Sequence, residues 1–103
     1  MTIADELRSA LNCGDFFLEY LPTLRLSDAH CIGAEALVRW RRGRSVLPAA
    51  AFMPLIDNTP LSGTLTYWVV DTVAAELADW LGAHSDTHIS INVPPEVLGR
   101  GGV

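Results

Sequence analysis

A carboxylate and a guanidinium set into an otherwise apolar and small-residue stretch constrain this chain more than any other feature. The stretch is residues 31–40, running from Cys31 to Trp40 with Glu35 and Arg39 inside it. Its composition is that of a buried strand. A strand sends alternate side chains to opposite faces. Glu35, Leu37 and Arg39 therefore share one face, and Ala34, Ala36, Val38 and Trp40 share the other. Two opposite charges on an apolar strand are costly to bury without partners. A mutual ion pair, a metal ion, an anionic ligand or an exposed strand end would each meet that cost.

Around this strand the pattern predicts alternating helices and strands. Thr2 can cap a first helix whose apolar stripe is Ile3, Leu7, Ala10 and Leu11, with Asp5 and Glu6 favouring its dipole. Gly14 suits a left-handed helix end. Residues 16–24 read as a strand, and residues 26–30 as a turn. So short a connection to the strand at 31–40 permits only an antiparallel hairpin. Residues 41–46 read as a basic loop. Pro48 suits the first turn of a short helix, with Phe52, Leu55 and Ile56 on its inner face. Residues 58–63 read as a break, followed by a longer helix over about 65–81. That helix carries Leu65, Trp68, Val69, Thr72, Val73, Leu77 and Trp80 at three- and four-residue steps, and Gly82 closes it. Trp68 and Trp80 are expected in the core. Residues 87–93 read as a third strand, with Ile89, Ile91 and Val93 on one face and Ser90 and Asn92 on the other. Pro94-Pro95 stops that strand, and residues 95–98 look like the start of a further helix. The Gly-rich close at 99–103 suggests a truncated open reading frame, a frameshift or an engineered boundary.

Half of the residues are apolar and 18% are charged, which excludes a disordered chain. A net charge of −5 argues against a nucleic-acid polymer as partner. It leaves room for a small anion at a local basic site. Arg39, Arg41, Arg42 and Arg44 form the one basic cluster, which is either a solvated loop or a phosphate-steering patch. Cys13 and Cys31 lack metal-type spacing and are expected as free thiols in a reducing cytoplasm. His84 and His88 are four apart, but the residues between them read as a loop, so no zinc pair is expected. No apolar run reaches the ~20 residues of a membrane span. The N-terminus carries no secretory-signal pattern.

Four stretches together resemble one family. Glu35-Ala36-Leu37-Val38-Arg39-Trp40 looks like the signature of the EAL domain, a bacterial phosphodiesterase module that hydrolyses cyclic di-GMP. Phe17-Leu18-Glu19-Tyr20-Leu21-Pro22 is similar to that family's first strand. Phe52-Met53-Pro54-Leu55-Ile56 is similar to the helix after the signature strand, and Ser90-Ile91-Asn92-Val93 to the third strand. The similarity runs over about residues 7–97. It implies an α/β fold, an incomplete TIM-type (β/α)8 barrel with its first two strands antiparallel. Such a barrel takes about 250 residues, and this chain has 103. Residues 1–103 would then be the N-terminal part of a single EAL domain, namely strands one to three with their helices.

The resemblance also implies roles. Glu35 and Asn92 match metal ligands at strand ends, where hard oxygen donors suit Mg²⁺ or Mn²⁺. Arg39 matches an arginine that binds a substrate phosphate, and Leu37 and Leu21 occupy substrate-lining positions. The family usually carries a Gln at the Leu21 position, and leucine cannot replace its hydrogen bonds. A paired-Asp motif, a Lys and later Glu residues that complete the family's metal site would fall beyond Val103. The implied function is metal-dependent hydrolysis of cyclic di-GMP by a truncated module inactive alone. The alternative is a degenerate EAL module acting in nucleotide sensing or protein–protein interaction. Expected partners are cyclic di-GMP and either a second copy or the remaining half of the barrel, and a long unpaired sheet edge favours pairing with another chain.

Overall fold

The structure is a computed structural model that describes residues 2–84 and 86–93. Helix α1 spans Ile3–Cys13. Its start is a reciprocal capping box. Thr2 Oγ1 accepts from the Asp5 amide at 3.1 Å, and the Asp5 carboxylate accepts from the Thr2 amide at 3.3 Å. The Thr2 hydroxyl donates to Asp5 Oδ2 at 2.9 Å, and that bond first, with the Thr2 amide and Arg8 adding to it, holds the Asp5 carboxyl below its ordinary pKa. Gly14, at φ 78°, ends the helix in the left-handed region as expected.

Strands β1 (Phe16–Leu24) and β2 (Cys31–Arg42) form the antiparallel hairpin that the short connection requires. Arg25 grips Asp28 across the turn with bonds of 3.0 and 2.9 Å. That pairing, with the His30 amide, holds the Asp28 carboxyl below its ordinary pKa. Strand β2 is longer than expected, and the basic loop does not exist as such. Arg41 and Arg42 continue β2, and β3 (Ser45–Pro48) pairs back onto it with Arg42 opposite Ser45. Gly43, at φ 61°, makes that two-residue turn. Glycine first in a two-residue loop is a favoured hairpin connection.

Helix α2 (Ala49–Ile56) starts directly after Pro48, which is its cap rather than a first-turn residue. Phe52 and Ile56 are 0% and 1% exposed, whereas Leu55, expected inside, is 54% exposed. The next helix, α3, spans Pro60–Ala83, five residues earlier at its start than expected. The break is confined to Asp57-Asn58-Thr59, with Asn58 at φ 62°. Pro60 takes the first helical position, where its missing N–H costs nothing. Gly63 and Gly82 both lie inside the helix. Strand β4 is the shorter His88–Ile91, and its parallel partner is β2. Among the described residues four strands thus stand where three were expected. The expected helix start at 95–98 and the Gly-rich close lie outside the described residues.

One face of this sheet is covered. Phe16, Trp40, Phe52, Leu7, Ile56 and Leu65 form the main core, with Trp68 packed against it. Trp40 stacks on Phe16 at 5.7 Å and meets Phe52 edge-on at 5.8 Å. A second cluster joins Ala36 to Val69 and Val73 of α3, with Ile89 and Ile91 against it. Trp80, expected in the core, instead stacks on His84 at the end of α3. Tyr20 Oη donates to Glu76 Oε1 at 2.6 Å, tying β1 to α3. Burial first, and that carboxylate second, push the Tyr20 hydroxyl above its ordinary pKa.

Candidate functional site

The opposite face of the sheet carries the charges. Pairing in β1–β2 sets Leu21 opposite Glu35, Glu19 opposite Leu37 and Phe17 opposite Arg39. Directly opposed residues share a face. The β2–β4 register sets Ser90 opposite Glu35, so Ser90 points to that face as well. The alternation read from residues 31–40 is therefore correct. Ala36 and Trp40 are buried under the helices, and Glu35, Leu37 and Arg39 face away from them.

Glu35 and Arg39 do not pair with each other. Four residues along a strand is about 13 Å, too far for direct contact. Arg39 Nε donates to Glu19 Oε1 at 2.8 Å. Glu35 instead accepts from Asn92, with Asn92 Nδ2 at 3.1 Å from Glu35 Oε2. The mutual ion pair is thus excluded as the way this strand carries two charges. Glu35 also sits within β2 and not at its end, because β2 runs on to pair with β3. It does lie near the end of the segment that β4 accompanies, Gly33 to Ala36.

Parallel pairing here demands glycine. A Cβ built on Gly33 would lie 2.2 Å from the His88 carbonyl oxygen. The close approach of the two backbones is what brings Asn92, just past β4, within reach of Glu35.

A cavity of about 330 Å³ opens beside these groups. Leu37, Arg39 and Asn92 line it with Met53, Asp57 and Asn58, and Ala36, Val69 and Ile91 line it from the helix-covered side, so the cavity is mainly apolar and reaches past the sheet rather than lying on the charged face alone. Glu35 stands one contact outside the cavity, joined to it through Asn92. Leu21, 56% exposed, is on the same face but is not among the lining residues. The structure therefore gathers four of the five expected site residues and leaves Leu21 at the margin. Glu19, Met53, Asp57 and Asn58 were not anticipated. Glu19 could have been found from the hairpin register, whereas the 57–58 loop has no periodicity to read.

The donors available to a cation here are a carboxylate and an amide oxygen. Among the described residues no group of three or more His, Cys, Asp or Glu converges. Arg41 lies over the Phe17 ring at 4.6 Å, and Arg42 pairs with Glu6 at 2.7 Å. Those two arginines of the basic cluster are thus engaged elsewhere. Among the described residues no helix is long and apolar enough to cross a membrane.

Comparison with known proteins agrees with this layout. The model of the EAL domain family matches residues 4–103. The probable cyclic di-GMP phosphodiesterase PdeB of Escherichia coli K12 is 38% identical over 93 residues, covering 89% of this chain and 18% of the relative. The solved PaMucR phosphodiesterase, a c-di-GMP complex, superposes with a TM-score of 0.88 at 29% identity, covering 99% of this chain and 42% of that one. The Xanthomonas citri FimX EAL domain, also in complex with c-diGMP, superposes at 0.76 with 26% identity, covering 95% of this chain and 38% of its own. The chain thus spans less than half the length of each. Its sheet and helices are part of the TIM-type barrel of that fold.

Proposed function

The chain belongs to the EAL domain family, and on that premise we propose that it is the N-terminal part of a cyclic di-GMP phosphodiesterase module. In this reading Arg39 takes a phosphate of the nucleotide, and Glu35 and Asn92 are two ligands of a divalent cation. The observation that carries it is the Asn92–Glu35 contact at 3.1 Å, on the face that also presents Arg39. It joins two oxygen-bearing side chains, one on β2 and one just past β4, beside a cavity of about 330 Å³.

The donor set fits a hard cation in kind. A carboxylate and a carboxamide both offer oxygen, the ligand that Mg²⁺ and Mn²⁺ prefer. It does not fit in number, since Mg²⁺ takes about six ligands. When bound, such an ion would polarise the phosphodiester and lower the pKa of its attacking water. Arg39 would hold the anion through a planar donor fork. Leu37 would supply apolar wall, and Leu21 would leave one expected polar contact unmade. The isolated chain would bind weakly and not turn over. The cyclic di-GMP ligand, a cytoplasmic location and completion of the barrel by further sequence all belong to this proposal.

The test is a chimera. Residues 2–93 would replace the matching segment of the PdeB EAL domain, and cyclic di-GMP hydrolysis would be followed with Mg²⁺ or Mn²⁺. The proposal expects turnover that Glu35→Ala or Asn92→Ala abolishes and Leu21→Gln increases. A folded chimera with no turnover in any of these forms would overturn it.

A further inference from the structure

Arg39 is held by a neighbour that the signature stretch does not contain. Glu19, on β1, stands opposite Leu37 and reaches diagonally to Arg39. Its Oε1 accepts from Arg39 Nε at 2.8 Å. Arg39 is mostly buried, its side chain 23% exposed, while that of Glu19 is 58% exposed. The contact uses Nε and not the Nη pair. An arginine offers five N–H donors in one plane. A carboxylate on Nε restrains the plane and leaves the Nη edge for a second, bidentate anion.

We propose that Glu19 is a positioning residue, orienting the Arg39 guanidinium so that its Nη edge is presented to a phosphate in the adjoining cavity. This rests on the reading of Arg39 as the phosphate-binding group. Two effects of Glu19 oppose each other. Its charge repels an incoming phosphate, and its hydrogen bond spares the arginine an ordering cost on binding. Glu19 is 58% exposed, so the surrounding water weakens its repulsion even at this short range. Ordering a long, rotamer-rich side chain is a cost that solvent does not screen. Positioning is therefore the larger effect.

Glutamine separates the two, because it keeps the acceptor oxygen and removes the charge. The full chain and its Glu19→Ala and Glu19→Gln variants would be titrated with cyclic di-GMP and Mg²⁺ by calorimetry. In parallel, hydrogen exchange of the Arg39 Nε–H would be followed by nitrogen-15 NMR without nucleotide. The proposal expects a protected Nε–H in the native chain and in Glu19→Gln, and a rapidly exchanging one in Glu19→Ala. It expects Glu19→Ala to bind about three- to tenfold more weakly, and Glu19→Gln to bind at least as well as the native chain. Equal or tighter binding by Glu19→Ala overturns it, as does an Nε–H equally unprotected in the native chain. A native chain with a protected Nε–H that binds no cyclic di-GMP overturns the phosphate role of Arg39 itself, and the positioning role with it.

Discussion

Asn92 and Glu35 lie 57 residues apart and meet through a single side-chain hydrogen bond of 3.1 Å, at the junction of the two parallel strands. The amide donates and the carboxylate accepts, so the pair is satisfied without a cation. Replacing Asn92 by Asp removes the donor and sets two carboxylates against each other. Such a like-charge contact costs up to about 1 kcal/mol, or roughly 4–8 °C in a domain of this size. Asn92→Asp is therefore expected to lower the thermal midpoint at neutral pH by a few degrees, and millimolar Mg²⁺ is expected to restore it. Melting curves with and without Mg²⁺ check this. An Mg²⁺-insensitive loss would show that the two groups cannot share a cation.

Gly33 sets the distance between those strands. A methyl group there would meet the His88 carbonyl at 2.2 Å, and that oxygen is backbone and cannot swing aside. Gly33→Ala is expected to cost about 1–3 kcal/mol and to part β4 from β2. Amide hydrogen exchange should then show Ile89 and Ile91 losing protection while β1 keeps its own. Unchanged protection in β4 would mean that the parallel pairing tolerates the added carbon.

Phe52 and Leu55 were both expected on the inner face of α2, and only one is there. Phe52 fills the centre of the aromatic cluster with Phe16 and Trp40. Phe52→Ala should cost about 3–5 kcal/mol, enough to abolish a cooperative urea transition in a chain of marginal stability. Leu55→Ala should change it by less than about 0.5 kcal/mol. Urea unfolding followed by tryptophan fluorescence distinguishes the two.

Two exposed aspartates make stability fall in acid. Asp5 and Asp28 both have native pKa values below the ordinary one, through hydrogen bonds to Thr2 and Arg25 respectively. Each stabilises the fold above the ordinary aspartate pKa of about 4. That contribution is lost as pH falls through the lower native value. The thermal midpoint should decline below about pH 4, and the Asp5→Asn, Asp28→Asn double variant should show a shallower decline. Tyr20 acts at the alkaline end. Its raised pKa makes its contribution complete below about pH 10 and lost as pH rises further, a loss that Tyr20→Phe should remove.

Much of this architecture is legible in the residues themselves. The alternation in 31–40 assigned both faces of β2, because a period of two admits only two answers. The antiparallel hairpin followed from the length of its turn. The misses have equally local causes. Gly43-Arg44 lies in a charge-rich stretch that reads as a loop, although glycine first in a two-residue connection signals a hairpin. Pro60 lies in a stretch whose pattern reads as a break, although proline at the first helical position starts a helix. Leu55 and Trp80 were placed inside on periodicity, which assigns a face but not the presence of a neighbour to cover it. The site was legible through the signature stretch, which supplied Glu35, Leu37 and Arg39. Glu19 depended on register between two strands, and the Asp57-Asn58 lining on tertiary packing that no periodic pattern encodes.

If Arg39 binds a phosphate and Glu35 and Asn92 ligate a divalent cation, as proposed, then cyclic di-GMP with Mg²⁺ must stabilise the folded chain. The most direct test is a thermal melt of the chain with cyclic di-GMP and Mg²⁺, separately and together, in the native form and in Arg39→Ala. A ligand that binds only the folded state raises the midpoint, by about 1.4 kcal/mol of stability at ten times its Kd. The account predicts an upward shift with both present, and its loss in Arg39→Ala. A cooperative transition that ignores both ligands, or an equal shift in Arg39→Ala, would contradict it.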